Sequence, residues 1–216
     1  MIRSLFLPEE GQQWAAIDYS QQEPRILVHY AKAYGDSKNT ELKGLSEFLD
    51  GYTNDPKMDF HSLVAEMAEI PRKQAKMINL AMMYGMGVNK LAEQLDIDKA
   101  EAKTLTDRYH ERVPFVRQLM RGVSSRLNDP RSSGSIRSLR GRKCRFDLWE
   151  PDSFEMHKAL PRDEAIAEYG GTTRLVRAYT YKSLNRLIQA SAADMCKQSM
   201  IDLFQTGVVP LVQIHD

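Results

Sequence analysis

Cysteine is nearly absent from this chain. Cys144 and Cys196 are the only two in 216 residues, too few for a disulfide framework or a paired-thiolate metal site. Their scarcity sets the expectation of a reducing, intracellular compartment. Long apolar runs are missing as well. No stretch reaches the roughly 18 residues of a membrane span. The opening Met1-Ile2-Arg3-Ser4-Leu5-Phe6-Leu7-Pro8 is too short an apolar run for a signal peptide. The expectation is a soluble cytoplasmic protein with no membrane partner. There is no internal repeat and no low-complexity tract, and a hydrophobic content of 42 % excludes disorder as the general state.

A large net charge is also lacking, since the formal total is +1. The sum hides an uneven distribution. Residues 1–71 carry 6 basic and 12 acidic side chains, residues 72–145 carry 17 and 7, and residues 146–216 carry 7 and 10. The middle third is a basic segment between two acidic ones.

The most informative part of that basic third runs from Arg72 to Gly85. At about 100° per residue, Arg72, Lys76, Asn79, Leu80 and Met83 fall in one arc with Tyr84 at its edge, while Ala75, Met77, Ile78, Ala81 and Met82 fall opposite. The spacing predicts a helix with an apolar back and a cationic, aromatic-edged front, suited to a polyphosphate that carries a flat base. Pro71 fits its first position, and Gly85 and Gly87 supply its stop. A cationic helix face is also, by itself, ordinary solvated surface.

Elsewhere, residues 12–17 read as a strand running into Asp18, and 23–34 as a helix with Pro24 in its first turn. A helix over 59–69 follows, with Asp59 as its N-cap, and further helices are predicted at 88–95, 99–112 and 114–127. Residues 134–146 have hairpin spacing, 148–173 look like a polar surface insertion, 177–205 form a long helix, and 208–214 form a final strand ending in His215-Asp216. A strand, a run of helices and a returning strand predict an α+β fold, a small antiparallel sheet interrupted by a mostly helical insertion, rather than a wound α/β fold. Asp18 and Asp216 each follow an apolar strand. Two carboxylates at neighbouring strand ends could hold a pair of Mg²⁺ ions for in-line phosphoryl transfer, although a single Asp after a strand is more often a turn residue.

The segment Asp18-Tyr19-Ser20-Gln21-Gln22-Glu23-Pro24-Arg25-Ile26-Leu27 resembles motif A of the family A (polymerase I-like) DNA polymerases. The helix at 72–85 resembles their motif B, and Val212-Gln213-Ile214-His215-Asp216 their motif C, in the family's order. Asp59-Phe60-His61, residues 136–143 and residues 185–194 also look like family segments. The resemblance runs from about Arg3 to Asp216 and excepts mainly 148–173. It implies residues 1–58 and 176–216 as two parts of a palm and 59–175 as fingers. It also implies primer-template DNA and a dNTP as partners, and two Mg²⁺ ions as cofactors.

Carried onto matching positions, the resemblance makes Asp18 and Asp216 the metal ligands, with the Tyr19 carbonyl as a further oxygen. Arg72, Lys76 and His61 contact the triphosphate, with Lys76 near the reacting phosphorus. Glu23 is the steric gate beneath the sugar, Gln21 and Leu80 belong to the nucleotide site, and Tyr84 lies by the templating base. Gln189, Asn185 and His215 touch the primer-template near its growing end, where minor-groove acceptors vary little between base pairs. Arg137, Arg140, Arg142 and Lys143 fit the template backbone.

The chain departs from the family at several positions. Leu80 stands where Phe or Tyr is usual, a variant associated with some phage polymerases. Gln22 and Pro24 replace the apolar pair beside the gate, and Ala81 replaces a Gly. The segment from His61 to Arg72 is short. With nothing before the first palm strand and an end at Asp216, the expectation is a palm-and-fingers fragment. Two other readings stay open: a single-subunit RNA polymerase, which Glu23 argues against, and a nucleic-acid-binding module with no activity of its own.

Overall fold

The chain enters its first helix through Gln21, whose left-handed backbone (φ 55°) is costly for a non-glycine residue. Its own side chain holds it there. The Gln21 amide accepts from the Phe60 N–H at 2.7 Å and the Tyr52 hydroxyl at 3.3 Å, and donates to the Met58 carbonyl at 2.6 Å. The start of α1 (Gln22–Ser37) is thereby tied to the start of α3 (Phe60–Ala68), with α2 (Ser46–Asn54) between them in sequence. The computed structural model describes residues 7–129, 131–153, 155–170 and 173–213.

Helix α4 (Arg72–Met83) packs against α3, α5 (Val88–Leu95) against α6 (Lys99–Arg112), and α7 (Pro114–Asn128) returns to α1. Strands β1 (Ser135–Arg137) and β2 (Lys143–Arg145) pair antiparallel with Ile136 opposite Cys144. Strands β3 (Leu148–Pro151), β4 (Leu160–Pro161) and β5 (Leu175–Arg177) make a second antiparallel sheet in the order β4-β3-β5, with α8 (Arg162–Tyr169) packed on it. The longest helix, α9 (Ser183–Gln205), runs against both α1 and α7. Among the described residues no helix is long and apolar enough to cross a membrane.

The core joins these helices through large side chains that are almost fully enclosed. Phe48 of α2 stacks at 4.7 Å from Phe60 of α3 and 5.2 Å from Phe115 of α7. Leu27, Leu119, Leu184 and Ile188 extend the same cluster across α1, α7 and α9. Each such burial contributes about 1.5–3 kcal/mol relative to exposure. The helices approach closely where α7 has Gly122, since a Cβ there would lie 2.3 Å from the Tyr34 ring of α1.

The α+β class with small antiparallel sheets holds, and the expected helices α5, α6 and α7 are present within a residue of their predicted limits. The strands lie elsewhere than predicted. Residues 12–17 and 208–213 form no ladder among the described residues. A strand is stable only beside a partner, and here the apolar residues of both segments face outward, with Ile17 69 % and Leu211 70 % exposed. The polar 148–173 segment, read as an insertion, builds most of the three-stranded sheet instead. Trp149 anchors it, with the guanidinium of Arg177 4.5 Å and that of Arg162 5.7 Å from its ring. Helix α2 had no counterpart in the sequence reading, and α9 starts at Ser183 because Arg177 belongs to β5.

Candidate active site

Helix α4 ends as its sequence requires. Gly85 takes a left-handed conformation (φ 66°), Met86 N–H bonds Ala81 O at 2.8 Å and Gly85 N–H bonds Met82 O at 3.3 Å. This is a Schellman closure, and it fixes the direction of Tyr84 at the helix end. Pro71 is the N-cap, one position earlier than predicted. The exposed face is narrower than the amphipathic arc implied. Arg72 and Lys76 are exposed and Leu80 is half-buried, but Asn79 and Met83 are enclosed. Met83 joins the core, and Asn79 has a polar partner inside.

That partner is His61. The α3 N-cap Asp59 accepts from the His61 backbone N–H at 3.1 Å through one oxygen. Its other oxygen takes the Ser62 hydroxyl at 2.7 Å and the Arg72 guanidinium at 2.6 Å from Nε and 2.5 Å from a terminal nitrogen. Across the same interface the Asn79 Nδ2 lies 2.9 Å from the His61 Nδ1. His61, Arg72 and Lys76 are thus neighbours on the α3–α4 pair. Burial works to raise the Asp59 pKa, yet hydrogen bonds from Ser62 and Arg72 hold it below its ordinary value. Burial lowers the His61 pKa, Asp59 opposes this, and the Arg72 and Lys76 charges push the same way as burial. Burial and the two cations therefore favour the neutral ring.

A second network links three distant segments. Glu23, in the first turn of α1 and only 8 % exposed, accepts from the Tyr84 hydroxyl at 2.9 Å through one oxygen and from Gln189 Nε2 at 2.5 Å through the other. Gln189 also donates to the Tyr84 oxygen at 3.1 Å. The α1 carboxylate, the helix-end aromatic and the α9 amide form a closed triangle. Asn185 lies one turn before Gln189 on α9 and is half-buried.

Beside this triangle is a cleft of about 110 Å³, lined by Glu23, Gln189, Gln22, Lys197 and Gln213 among others. Gln22 Nε2 donates to Ala192 O at 3.3 Å, and the Tyr19 hydroxyl hydrogen-bonds Ser199 Oγ, so the loop carrying the exposed Asp18 is fastened along α9. Asp216 and His215 lie outside the described residues. Gln21 spends its amide on Phe60, Tyr52 and Met58 and is not among the residues that line the cleft. Lys197 went unnoticed in the sequence, although it stands two turns after Gln189 on the same helix face.

The basic hairpin docks on α9. Arg142 pairs with the nearly enclosed Asp194 at 2.9 Å and donates to Ala190 O at 2.8 Å, while Leu139 N–H bonds Ser191 Oγ at 3.2 Å. Arg137 donates to Gly141 O at 2.8 Å across its own turn. Arg140 and Lys143 are exposed. Arg142 therefore seats the hairpin, and Arg140 and Lys143 present its charge to solvent.

The titration pattern predicts the pH range of stability. Burial, then Glu23, pushes the Tyr84 phenol up to about 12. Burial likewise pushes Tyr52 to about 12 and raises Tyr30 and Tyr109. A phenol whose folded pKa is raised contributes stability in full below its unfolded value near about 10, and loses it as pH climbs through the folded value. Partly buried His61 and His110 have lowered values, so their contribution is present above about 6.5 and lost as pH falls below it. Denaturant midpoints should be level between about pH 6.5 and 10 and fall on both sides. A midpoint still level at pH 11.5 would contradict the assigned burial of these phenols.

The profile described as DNA polymerase family A matches residues 1–216. A "DNA-directed DNA polymerase" of Pseudomonas phage M6 is 34 % identical, over 100 % of this chain and 34 % of that protein. "DNA polymerase DpoZ" of Salmonella phage PMBT28 is 30 % identical, over 94 % and 30 %. The thermostable DNA polymerase I of Thermus aquaticus is 29 % identical, over 100 % and 23 %. The chain spans about a third of the length of the phage relatives it matches. Among solved structures, the POL domain of Pol1 from M. smegmatis, in complex with DNA primer-template and dNTP, superposes with a TM-score of 0.62. It is 28 % identical, over 92 % of this chain and 31 % of that one. The ordered motifs, the helical fold and these likenesses agree: the chain belongs to family A of the DNA polymerases.

Proposed function

We propose that the protein carries out template-directed DNA synthesis. The primer 3′-oxygen bonds to the α-phosphorus of a dNTP, the bond from that phosphorus to the bridging oxygen breaks, the hydroxyl proton leaves and pyrophosphate departs. The observation that carries this reading is the Glu23–Tyr84–Gln189 triangle, which brings the end of the cationic helix, a buried carboxylate and an α9 amide together beside the Asp18 loop. On this reading residues 1–58 and 176–216 act as palm and 59–175 as fingers. The reaction runs in the cytoplasm of a host cell.

Each side chain then has a task. Arg72, oriented by Asp59, and Lys76 hold the triphosphate, the first with a planar fork and the second as a compact charge. Glu23 fills the space beneath the sugar and Tyr84 sits by the templating base. Gln189, Asn185 and His215 test the geometry of the primer-template minor groove. Arg137, Arg140 and Lys143 line the template backbone, with Arg142 seating their hairpin. Asp18 and the Tyr19 carbonyl are hard oxygen donors that suit Mg²⁺. Among the described residues no three His, Cys, Asp or Glu side chains cluster as a metal site, and Asp216, outside them, would supply the second carboxylate. Two Mg²⁺ ions, when bound, would ease deprotonation of the 3′-hydroxyl and stabilise the leaving pyrophosphate.

Primer extension by the intact protein tests the proposal. It should require a divalent cation, use dNTPs in preference to rNTPs and stop with excess chelator. Preference for rNTPs would favour the RNA polymerase reading instead. Leu80, half-buried on α4 between Lys76 and Tyr84, supplies a finer check. Leu80→Tyr should raise dideoxynucleotide incorporation by on the order of 10²-fold, through a new contact near the missing 3′-hydroxyl. An unchanged preference would count against this pocket.

A further inference from the structure

Asn79 is fully enclosed within α4, at 0 % exposure, where an apolar residue of similar size would need no partner. Its Nδ2 meets the His61 Nδ1 at 2.9 Å, and its Oδ1 has no hydrogen-bond partner among the described residues. A half-satisfied buried amide is costly, and such a group asks for an explanation. An amide nitrogen donates and does not accept, so Nδ2 facing Nδ1 makes the ring nitrogen the acceptor. Donation from Asn79 is therefore favoured, and a ring nitrogen that accepts carries no proton.

We propose that Asn79 is a positioning residue that fixes the His61 imidazole in the Nε2–H tautomer, so that a neutral ring presents one N–H donor to a phosphate oxygen of the incoming nucleotide. This rests on the reading of His61 as a triphosphate contact. The groups facing the ring are Asp59 ahead of it on the α3 cap and Arg72 and Lys76 from α4. A third cation beside Arg72 and Lys76 would repel both before the nucleotide arrives. A neutral donor adds direction without adding charge. Asn79 matters through the ring it orients and does not itself touch the nucleotide.

Long-range ¹H–¹⁵N spectra of histidine-labelled protein report the tautomer directly. The wild type should show His61 as Nε2–H at neutral pH, and Asn79→Ala should lose that single form. Asn79→Asp, close in shape but accepting where Asn donates, should move the titration of His61 to higher pH. It also serves if Asn79→Ala fails to fold. In primer extension, Asn79→Ala should raise the KM for dNTP about tenfold with kcat within about twofold. An Nδ1–H or mixed tautomer in the wild type overturns the inference. So does an unchanged KM in Asn79→Ala when His61→Ala raises it. An unchanged KM in His61→Ala overturns the reading of the site beneath it.

Discussion

Replacing Asp18 with alanine should lower nucleotide incorporation by on the order of 10³-fold or more, while primer-template affinity stays within about twofold. The two effects separate because the groups responsible are separate. Asp18 is an exposed carboxylate on a loop fastened to α9 by Tyr19 and Gln22, and no core packing depends on it. Removing it leaves the fold and the basic surfaces of α4 and the hairpin unchanged. On the proposed function its loss would take away one of the oxygen donors that a divalent cation needs at the primer end, and with it the activation of the attacking hydroxyl. Single-turnover incorporation and equilibrium DNA binding, measured on the same variant, make the check. Retained incorporation would remove Asp18 from the reaction, and lost DNA binding would point to a structural role.

Glu23→Ala should lower discrimination against ribonucleotides by about 10²-fold and slow dNTP incorporation by about tenfold. Glu23 occupies its place by volume and by bonding together. It is a buried side chain at the rim of the cleft, and both of its oxygens are taken by partners on α9 and at the end of α4. On the proposed function truncation would open room where a 2′-hydroxyl otherwise collides, and it would also release Tyr84 and Gln189 from the position they share. Glu23→Gln separates the two contributions. The isosteric amide keeps the volume, so sugar discrimination should stay within a few-fold, while the weaker pairing with Gln189 and Tyr84 slows incorporation. Equal loss of discrimination in both variants would mean that charge, not bulk, governs the choice of sugar.

What could be read in the sequence follows from how local each feature is. Helices α6 and α7 have long apolar periodicity and strong starts. Asp98 accepts the Glu101 N–H at 2.7 Å and Pro114 opens α7, so both limits could be predicted from a few residues. Asp59 as a cap and Gly85 as a stop are equally local. The edge segments 12–17 and 208–213 have strand composition, but strand formation depends on a partner that composition does not specify. The β3–β5 sheet was illegible for the opposite reason. Its strands are two to four residues long, and they are held by stacking of Arg162 and Arg177 on Trp149 rather than by alternation.

The site divides in the same way. Arg72 and Lys76 were visible on one helical face, and the arc that displayed them also displayed Asn79 and Met83, which the fold encloses. Helical angle alone cannot tell an exposed edge from a polar group buried against its neighbour. The contact of Glu23 with Gln189 joins residues 166 positions apart, and no periodicity reports it. The resemblance places Glu23 in motif A and Gln189 in the 185–194 segment as separate site residues, and their contact shows only in the structure. The pairing of Asp59 with Arg72 and the place of Lys197 in the cleft needed the structure.

The central claim is that this site joins nucleotides under the direction of a template, and single-nucleotide incorporation addresses it most directly. The intact protein is given a primer-template with one defined base next to the primer end, each of the four dNTPs in turn, and Mg²⁺. The account predicts rapid addition of the complementary dNTP, addition of the other three slower by on the order of 10³-fold or more, and a change of the preferred nucleotide whenever the template base is changed. Addition that ignores the template base, or no addition by the intact protein under any of the four conditions, would contradict it.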